Sequence, residues 1–256
     1  RRVVVYSMPG LSFREFLQFE AKINLDTHTL EDITKNHVAI SIAISQKIKP
    51  LHYFDDYLNY GYYPFYIENK KSFHQKLSEV LLTVLEVDIP QYASIPVSNI
   101  IMLKKLLSVI SHSVPFKPNM NTISERTGIS INTMKNYLRL LNDAQLLQLL
   151  YVEDKGINSL GKPEKIYLDN PNLMFNLVKE ADKGNIRETF FYNQLNYKST
   201  VFASQNADFK VDGVYEFELG GRNKKQKQIK NLKNAFIVKD NIEIGSDLNI
   251  PLWLFG

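Results

Sequence analysis

The spacing of apolar residues changes along this chain, and that change limits the folds available to it. Over residues 29–114 apolar side chains recur three and four residues apart, which is typical of amphipathic helices. Beyond residue 199 they occur in short alternating runs bounded by turn-forming residues, which is typical of strands. A helical first half followed by a strand-rich end predicts an α+β fold.

The composition agrees with a folded protein in a reducing compartment. Of the 256 residues, 44% are hydrophobic and 23% are charged, which allows a packed core. The chain has no cysteine, which removes disulfides and thiolate chemistry and predicts a cytoplasmic location. No apolar run is long enough to cross a bilayer, so no membrane partner is expected. Because the first residue is Arg rather than Met, we expect a piece of a longer protein.

Residues 118–170 carry the pattern of a winged helix-turn-helix. A short helix ending at Gly128, a helix capped by Ser130, a strand, a loop and a second strand are predicted in that order. The predicted core face of the second helix consists of Ile131, Met134, Leu138 and Leu141. Its predicted exposed face consists of Asn132, Thr133, Lys135, Asn136 and Arg139. These exposed types can contact phosphates and base edges, which makes DNA one expected partner, while docking of a protein is the alternative.

The loop between the two predicted strands has the spacing of a phosphate-binding loop, from Gly156 to Lys162. Pro163 stands where that motif needs Ser or Thr, and a strand follows instead of a helix. We interpret the match as the wing of the winged helix and not as a nucleotide site.

A predicted hairpin near the end of the chain places acidic residues on one face. With a three-residue loop at 211–213, Lys210 lies opposite Val214, and Asp208 shares a face with Glu216 and Glu218. A two-residue loop would mix acids into the apolar face, so the apolar pattern favours the longer loop. Carboxylates on adjacent strands can bind Mg²⁺ for phosphodiester cleavage; a solvent-facing surface balanced by Lys210 is the alternative.

Two further features flank this hairpin. Glu188, on the helix predicted before it, can supply a third carboxylate. After the hairpin comes a basic run without any acid, which contains Arg222, Lys224, Lys225, Lys227, Lys230 and Lys233. We predict a helix over this run, whose cations either contact a phosphate backbone or form a solvated basic face.

Several segments together resemble a known family. RETFFYNQL (187–195), ADFKV (207–211), YEFELGGRNKKQKQI (215–229) and IPLWLFG (250–256) follow the winged-helix pattern in this order. The set resembles the C-terminal region of a prokaryotic family of AAA-type ATPases, which ends in a PD-(D/E)xK nuclease-like domain of unknown function. RRVVVYSMPGLSFREFLQF (1–19) looks like the end of the ATPase core, and FDDYLNYGYYPFY (54–66) resembles its helical lid.

The resemblance implies a multidomain α+β chain. Its parts are the end of the ATPase core (1–20), a helical lid-like region (21–117), the winged helix-turn-helix (118–170) and an α/β nuclease-like domain with a small mixed sheet (171–256). By position, Glu188 matches the helix carboxylate, Asp208 the first strand acid and Glu218 the acid of the (D/E)xK element. Asp208 and Glu218 would bind Mg²⁺ if the site is active. Gly220 stands where the lysine is expected, and Arg222, Lys224 or Lys225 is then a candidate for a migrated cation.

The resemblance also implies a function. ATP would bind only to the full-length protein, in which Arg1 or Arg2 would sense its γ-phosphate; without the P-loop this region needs no cofactor of its own. We expect a non-catalytic region that binds nucleic acid, with Lys225, Lys227 and Lys230 among its contacts, or docks a protein partner. Self-association would occur through the ATPase core. The alternatives are a Mg²⁺-dependent nuclease using Asp208 and Glu218, and a pure protein-interaction module.

Overall fold

The computed structural model describes residues 8–113, 117–153, 162–225, 229–230 and 232–256, and it confirms the α+β class. The α-helices are α1 (Phe13–Glu20), α2 (Leu30–Lys47), α3 (Pro50–Asp56), α4 (Phe73–Thr83), α5 (Ile89–Ala93), α6 (Val97–Ser111), α7 (Met120–Thr127), α8 (Ile131–Asp143), α9 (Pro171–Leu177) and α10 (Lys183–Leu195). The strands are β1 (Leu147–Leu150), β2 (Lys165–Leu168), β3 (Val201–Ala203), β4 (Phe209–Val211), β5 (Tyr215–Gly220), β6 (Ala235–Lys239) and β7 (Asn249–Pro251).

The first half is helical, as its apolar spacing predicts, and one buried side chain connects it to α9. A π-helical turn at Tyr57–Gly61 follows α3 and leaves backbone groups without the usual helical partners. Asn172 of α9 is fully buried and donates to the carbonyls of Tyr57 at 3.0 Å and Leu58 at 2.8 Å. Its side-chain oxygen accepts the Tyr62 N–H at 2.9 Å. One amide side chain therefore satisfies three backbone groups of this turn.

The helix, turn, helix, strand, strand order predicted for the middle of the chain is present. α7 ends at Gly128, whose φ of 73° lies in the left-handed region that glycine favours. α8 begins at the predicted cap, where the Ser130 hydroxyl accepts the Thr133 N–H at 3.3 Å. β1 and β2 pair antiparallel. The prediction that Ile131 is buried was wrong: it is 37% exposed, and Tyr137 completes the buried face of α8. Whether this unit is a winged helix stays a prediction.

A mixed five-stranded sheet forms the end of the chain, in the order β3-β4-β5-β6-β7. The first three strands are antiparallel, and β5, β6 and β7 are parallel. The predicted hairpin register was wrong by two residues, since Lys210 lies opposite Glu216 and Val211 opposite Tyr215. The loop has three residues, as predicted, but it comprises Asp212, Gly213 and Val214, and the first two are left-handed (φ of 53° and 69°). A shift of two residues keeps every side chain on its predicted face.

The helix predicted over the basic run is absent from the described residues of 221–234, which form turns and irregular structure. Without an acid in the run, its cations gain no i,i+4 ion pair that would stabilise a helix. Instead Ile229 is 2% exposed and packs with Ala235 and Ile237. Because Ala235 and Ile237 lie opposite Glu216 and Glu218, Ile229 packs on the face of the sheet that carries these acids.

A continuous hydrophobic cluster extends from α1 to the last residues of the chain. The Phe54 ring lies 4.9 Å from that of Phe190 on α10, and the Phe191 ring lies 4.8 Å from that of Phe255. The two sheets also connect, because the Ala203 N–H on β3 donates to the Tyr151 carbonyl beyond β1 at 2.8 Å. The four-part division of the chain stays a prediction. Among the described helices, none is both long and apolar enough to cross a membrane.

Candidate functional site

The three carboxylates singled out by the sequence lie on elements that pack together. Glu188 is on α10, which packs against β5, while Asp208 directly precedes β4 and Glu218 is on β5. The Asp208 N–H donates to the Phe217 carbonyl at 3.1 Å, and its Oδ2 accepts the Leu219 N–H at 2.8 Å. Both bonds fix Asp208 beside Glu218. We call Glu188, Asp208 and Glu218 the carboxylate cluster.

The pKa of Glu218 shows that the cluster is electrostatically coupled. Its side chain is buried, and burial is the main cause that raises this pKa above the usual value. The negative charges of Asp208 and Glu188 raise it further, while the Lys224 ammonium opposes the shift. Like charges so close together favour the neutral acid unless a cation compensates them.

On β2, Lys165 pairs with Glu188 and Asp208, and Tyr167 binds Glu188; neither residue was predicted from the sequence. The Lys165 ammonium lies 3.0 Å from Glu188 Oε2 and 3.7 Å from Asp208 Oδ1. The Tyr167 hydroxyl donates to the same Glu188 oxygen at 2.7 Å. Burial raises the pKa of Tyr167 well above the usual value, and the Glu188 charge adds to this, so the hydroxyl stays a donor.

The spacing of Lys165 and Tyr167 in the sequence indicates that the two side chains are neighbours. Residues two apart on a strand share a face, so the letters KIY of β2 put a cation and a phenol side by side. The sequence cannot show which acid they meet, because 23 residues separate Lys165 from Glu188.

Lys224 fills the space beside Gly220 and reaches the third carboxylate. A Cβ placed on Gly220 would lie 2.5 Å from the Cβ and Cγ of Lys224, so the lysine stem lies directly against the glycine. The Lys224 ammonium forms an ion pair with Glu218. Among the candidates for a migrated cation, Lys224 is therefore the one beside the motif acid. Arg222 and Lys225 are exposed and form no ion pair with a described carboxylate.

The other candidate residues lie elsewhere. On α8, Asn132, Lys135, Asn136 and Arg139 are exposed, and Thr133 is half-buried with its hydroxyl 2.8 Å from that of Ser130. Lys230, in the basic run after Ile229, is exposed. Arg1, Arg2, Lys227 and the phosphate-loop-like residues 156–161 fall outside the described residues.

The carboxylate cluster does not fit Mg²⁺ as it is arranged. Glu188 Oε2 accepts from both Lys165 and Tyr167, Asp208 Oδ2 accepts a backbone N–H, and Glu218 Oε1 accepts from Lys224. In the described part of the chain, no three His, Cys, Asp or Glu side chains are grouped so that they could hold a metal ion. What the arrangement provides is two ammonium groups and a phenol that compensate three acids.

Comparison with known proteins gives one match. The family model for a domain of unknown function, DUF8612, matches residues 51–183, slightly more than half of the chain. The match contains Lys165 and Tyr167 and ends before Glu188. No curated protein and no solved structure shows significant similarity to the chain. The chain therefore belongs to the family of the domain of unknown function DUF8612.

Proposed function

We propose that this chain is a nucleic-acid-binding, non-catalytic region of an AAA-type ATPase, and that its basic segment contacts the phosphate backbone. The basic segment is residues 222–225, 229–230 and 232–233. The observation behind the proposal is that four of its cations are exposed and form no ion pair with a described carboxylate. These four residues are Arg222, Lys225, Lys230 and Lys233.

The surroundings of these cations support contact with a polyanion. Some lysines elsewhere have an acidic partner, as Lys35 has Glu31 and Lys210 has Glu153, whereas the sequence from 222 to 233 contains no acid at all. An unpaired surface cation can release counterions from a phosphate backbone without first giving up a carboxylate. Lys224, bound to Glu218, holds the start of the basic segment at the carboxylate cluster.

The exposed face of α8 supplies a second basic surface. Lys135 and Arg139 lie four residues apart and are exposed, with Asn132 and Asn136 beside them. Cations with amides on one helix face can position a helix on a backbone and contact base edges. In this proposal α8 adds affinity to the basic segment.

The non-catalytic part of the proposal rests on the donors around the acids. A carboxylate that accepts from an ammonium or a phenol is a weak base for activating water. Glu188 accepts from an ammonium, Asp208 accepts from a backbone N–H, and Glu218 pairs with an ammonium.

The test is fluorescence anisotropy with labelled single-stranded DNA, duplex DNA and RNA across a range of salt concentrations. The variant Lys225→Gln/Lys230→Gln/Lys233→Gln removes three exposed charges from the basic segment. Lys47→Gln/Lys49→Gln/Lys71→Gln is the matched control, because these lysines are exposed and lie in the helical half. We expect the first variant to reduce the log–log salt slope by up to about 2 for a single strand, and the control to leave it unchanged.

Equal effects of the two triple variants would refute a specific role for the basic segment. No binding at low salt would favour the protein-interaction module. Cleavage that requires Mg²⁺ and disappears in both Asp208→Ala and Glu218→Ala would refute the non-catalytic part and favour the nuclease.

A further inference from the structure

The Lys165 ammonium lies between two acids, Glu188 and Asp208. We propose that the Lys165 ammonium is the resident cation of the carboxylate cluster and excludes a divalent metal from Glu188 and Asp208. The inference goes beyond nucleic-acid binding, because the exposed cations of the basic segment do not depend on Lys165.

The distances fit an ammonium and not a metal. The Lys165 Nζ lies 3.0 Å from Glu188 Oε2 and 3.7 Å from Asp208 Oδ1. Mg²⁺ requires oxygen ligands at about 2.0–2.1 Å in near-octahedral geometry. A metal at the position of Nζ would be roughly 1 Å too far from one acid and farther still from the other. Metal binding therefore requires both removal of the ammonium and an approach of the two carboxylates.

β2 is built to hold this ammonium in place. Tyr167, two residues along the same strand face, is fully buried and donates to the same oxygen of Glu188. Asp208 is fixed from the other side by the Leu219 N–H. The Lys165 ammonium also lies 6.0 Å from the centre of the Phe209 ring, within the range of a weak cation–π contact. Three separate groups thus define the position of the cation.

The charge balance explains what removal of Lys165 would do. Lys165 and Lys224 are the two lysines that compensate the three acids, and Lys224 is engaged by Glu218. Without Lys165, Glu188 and Asp208 face each other without a nearby ammonium, which is unfavourable for two ionised acids. A divalent cation could then neutralise both. A unit positive charge about 4 Å from a divalent ion should weaken its binding at least about ten-fold even with full water screening.

The experiment measures Mn²⁺ binding by electron paramagnetic resonance, with Mn²⁺ alone as the probe. Lys165→Met removes the ammonium and keeps most of the stem. Lys210→Met is the matched control, because Lys210 is also ion-paired, with Glu153, and lies on β4 two residues after Asp208. We expect Lys165→Met to bind Mn²⁺ at least about ten-fold more tightly than the wild type and the control. Adding Asp208→Asn to Lys165→Met should abolish the gain.

A folded Lys165→Met variant that binds Mn²⁺ no better than the control would overturn the proposal, as would tight Mn²⁺ binding by the wild type. If Lys165→Met does not fold alone, the proposal requires Mn²⁺ to restore its circular dichroism spectrum, and failure of this rescue also overturns it. The anisotropy assay separates the two proposals, since Lys165→Met should leave the salt slope of nucleic-acid binding unchanged.

Discussion

Asp169 gives the sharpest prediction, because it is a buried acid held only by neutral donors in the described part of the chain. It directly follows β2, is 5% exposed, and accepts from Gln148 at 3.2 Å, Asn170 at 3.1 Å and Asn193 at 3.4 Å. Burial raises its pKa from 3.8 to about 6, and hydrogen bonds from Asn170, Gln148 and Tyr62 only partly oppose the shift. We predict that Asp169→Asn removes a pH-dependent loss of stability.

Stability falls as the pH rises because the folded chain holds the Asp169 proton more tightly than the unfolded chain does. Below pH 3.8 Asp169 is protonated in the folded and the unfolded chain, so its contribution to stability is complete. Between pH 3.8 and about 6 the unfolded chain releases this proton first, and stability falls by up to about 1.4 kcal/mol per pH unit. The shift of about two units corresponds to a total of about 3 kcal/mol, and above pH 6 no further loss occurs.

The assay is urea unfolding of wild type and Asp169→Asn, followed by circular dichroism between pH 4 and pH 7. Titrations elsewhere cancel in the difference between the two unfolding free energies. We expect the wild type to lose about 2.5 kcal/mol relative to the variant over this range. A difference that stays constant within about 0.5 kcal/mol, or that changes in the opposite direction, would refute the reasoning.

Three further substitutions test the packing around the candidate site. Gly220→Ala places a Cβ 2.5 Å from the stem of Lys224 and should reduce the free energy of unfolding in urea by about 1–3 kcal/mol; an unchanged value would contradict this packing. Lys224→Met should lower the melting temperature more at pH 8 than at pH 5. Burial raises the pKa of Glu218, so its carboxylate is more fully ionised at pH 8, and in the variant that charge has no ammonium to compensate it. Equal losses at the two pH values would contradict the pairing. Asn172→Ala leaves three backbone groups of the π-helical turn without their partner and should cost at least about 2 kcal/mol in urea unfolding, whereas a loss below about 0.5 kcal/mol would show that water replaces it.

Local patterns predicted the elements of this fold well. The apolar spacing predicted the helical first half, and Ser130 and Gly128 marked helix ends that the structure confirms. The helix predicted over the basic run was wrong for the residues of 221–234 that the structure describes, where Ile229 packs on Ala235 and Ile237 instead. The predicted hairpin register was also wrong, since an alternating pattern fixes the face on which each side chain lies but not which residues lie opposite each other.

The candidate site was predicted only in part for a similar reason. Residue types and strand parity placed Asp208 on the same face as Glu218. The partner of each acid depends on long-range contacts that one sequence does not encode visibly. Lys165 on β2 reaches Glu188 on α10, and Lys224 reaches back over Gly220. The pairing of cations with acids therefore required the structure.

The ion pairs of Lys165 have a consequence for how the molecule unfolds. Lys165 belongs to the two-stranded sheet, whereas Asp208 directly precedes β4 of the five-stranded one. If either sheet separates, charges that are compensated in the folded chain become unmatched, and the buried Tyr167 hydroxyl loses its acceptor. Detachment of one sheet thus destabilises the other, and a slip of β2 by one residue would turn both side chains away. We expect the two sheets to melt in a single cooperative transition in calorimetry, with two resolved transitions as the contrary result.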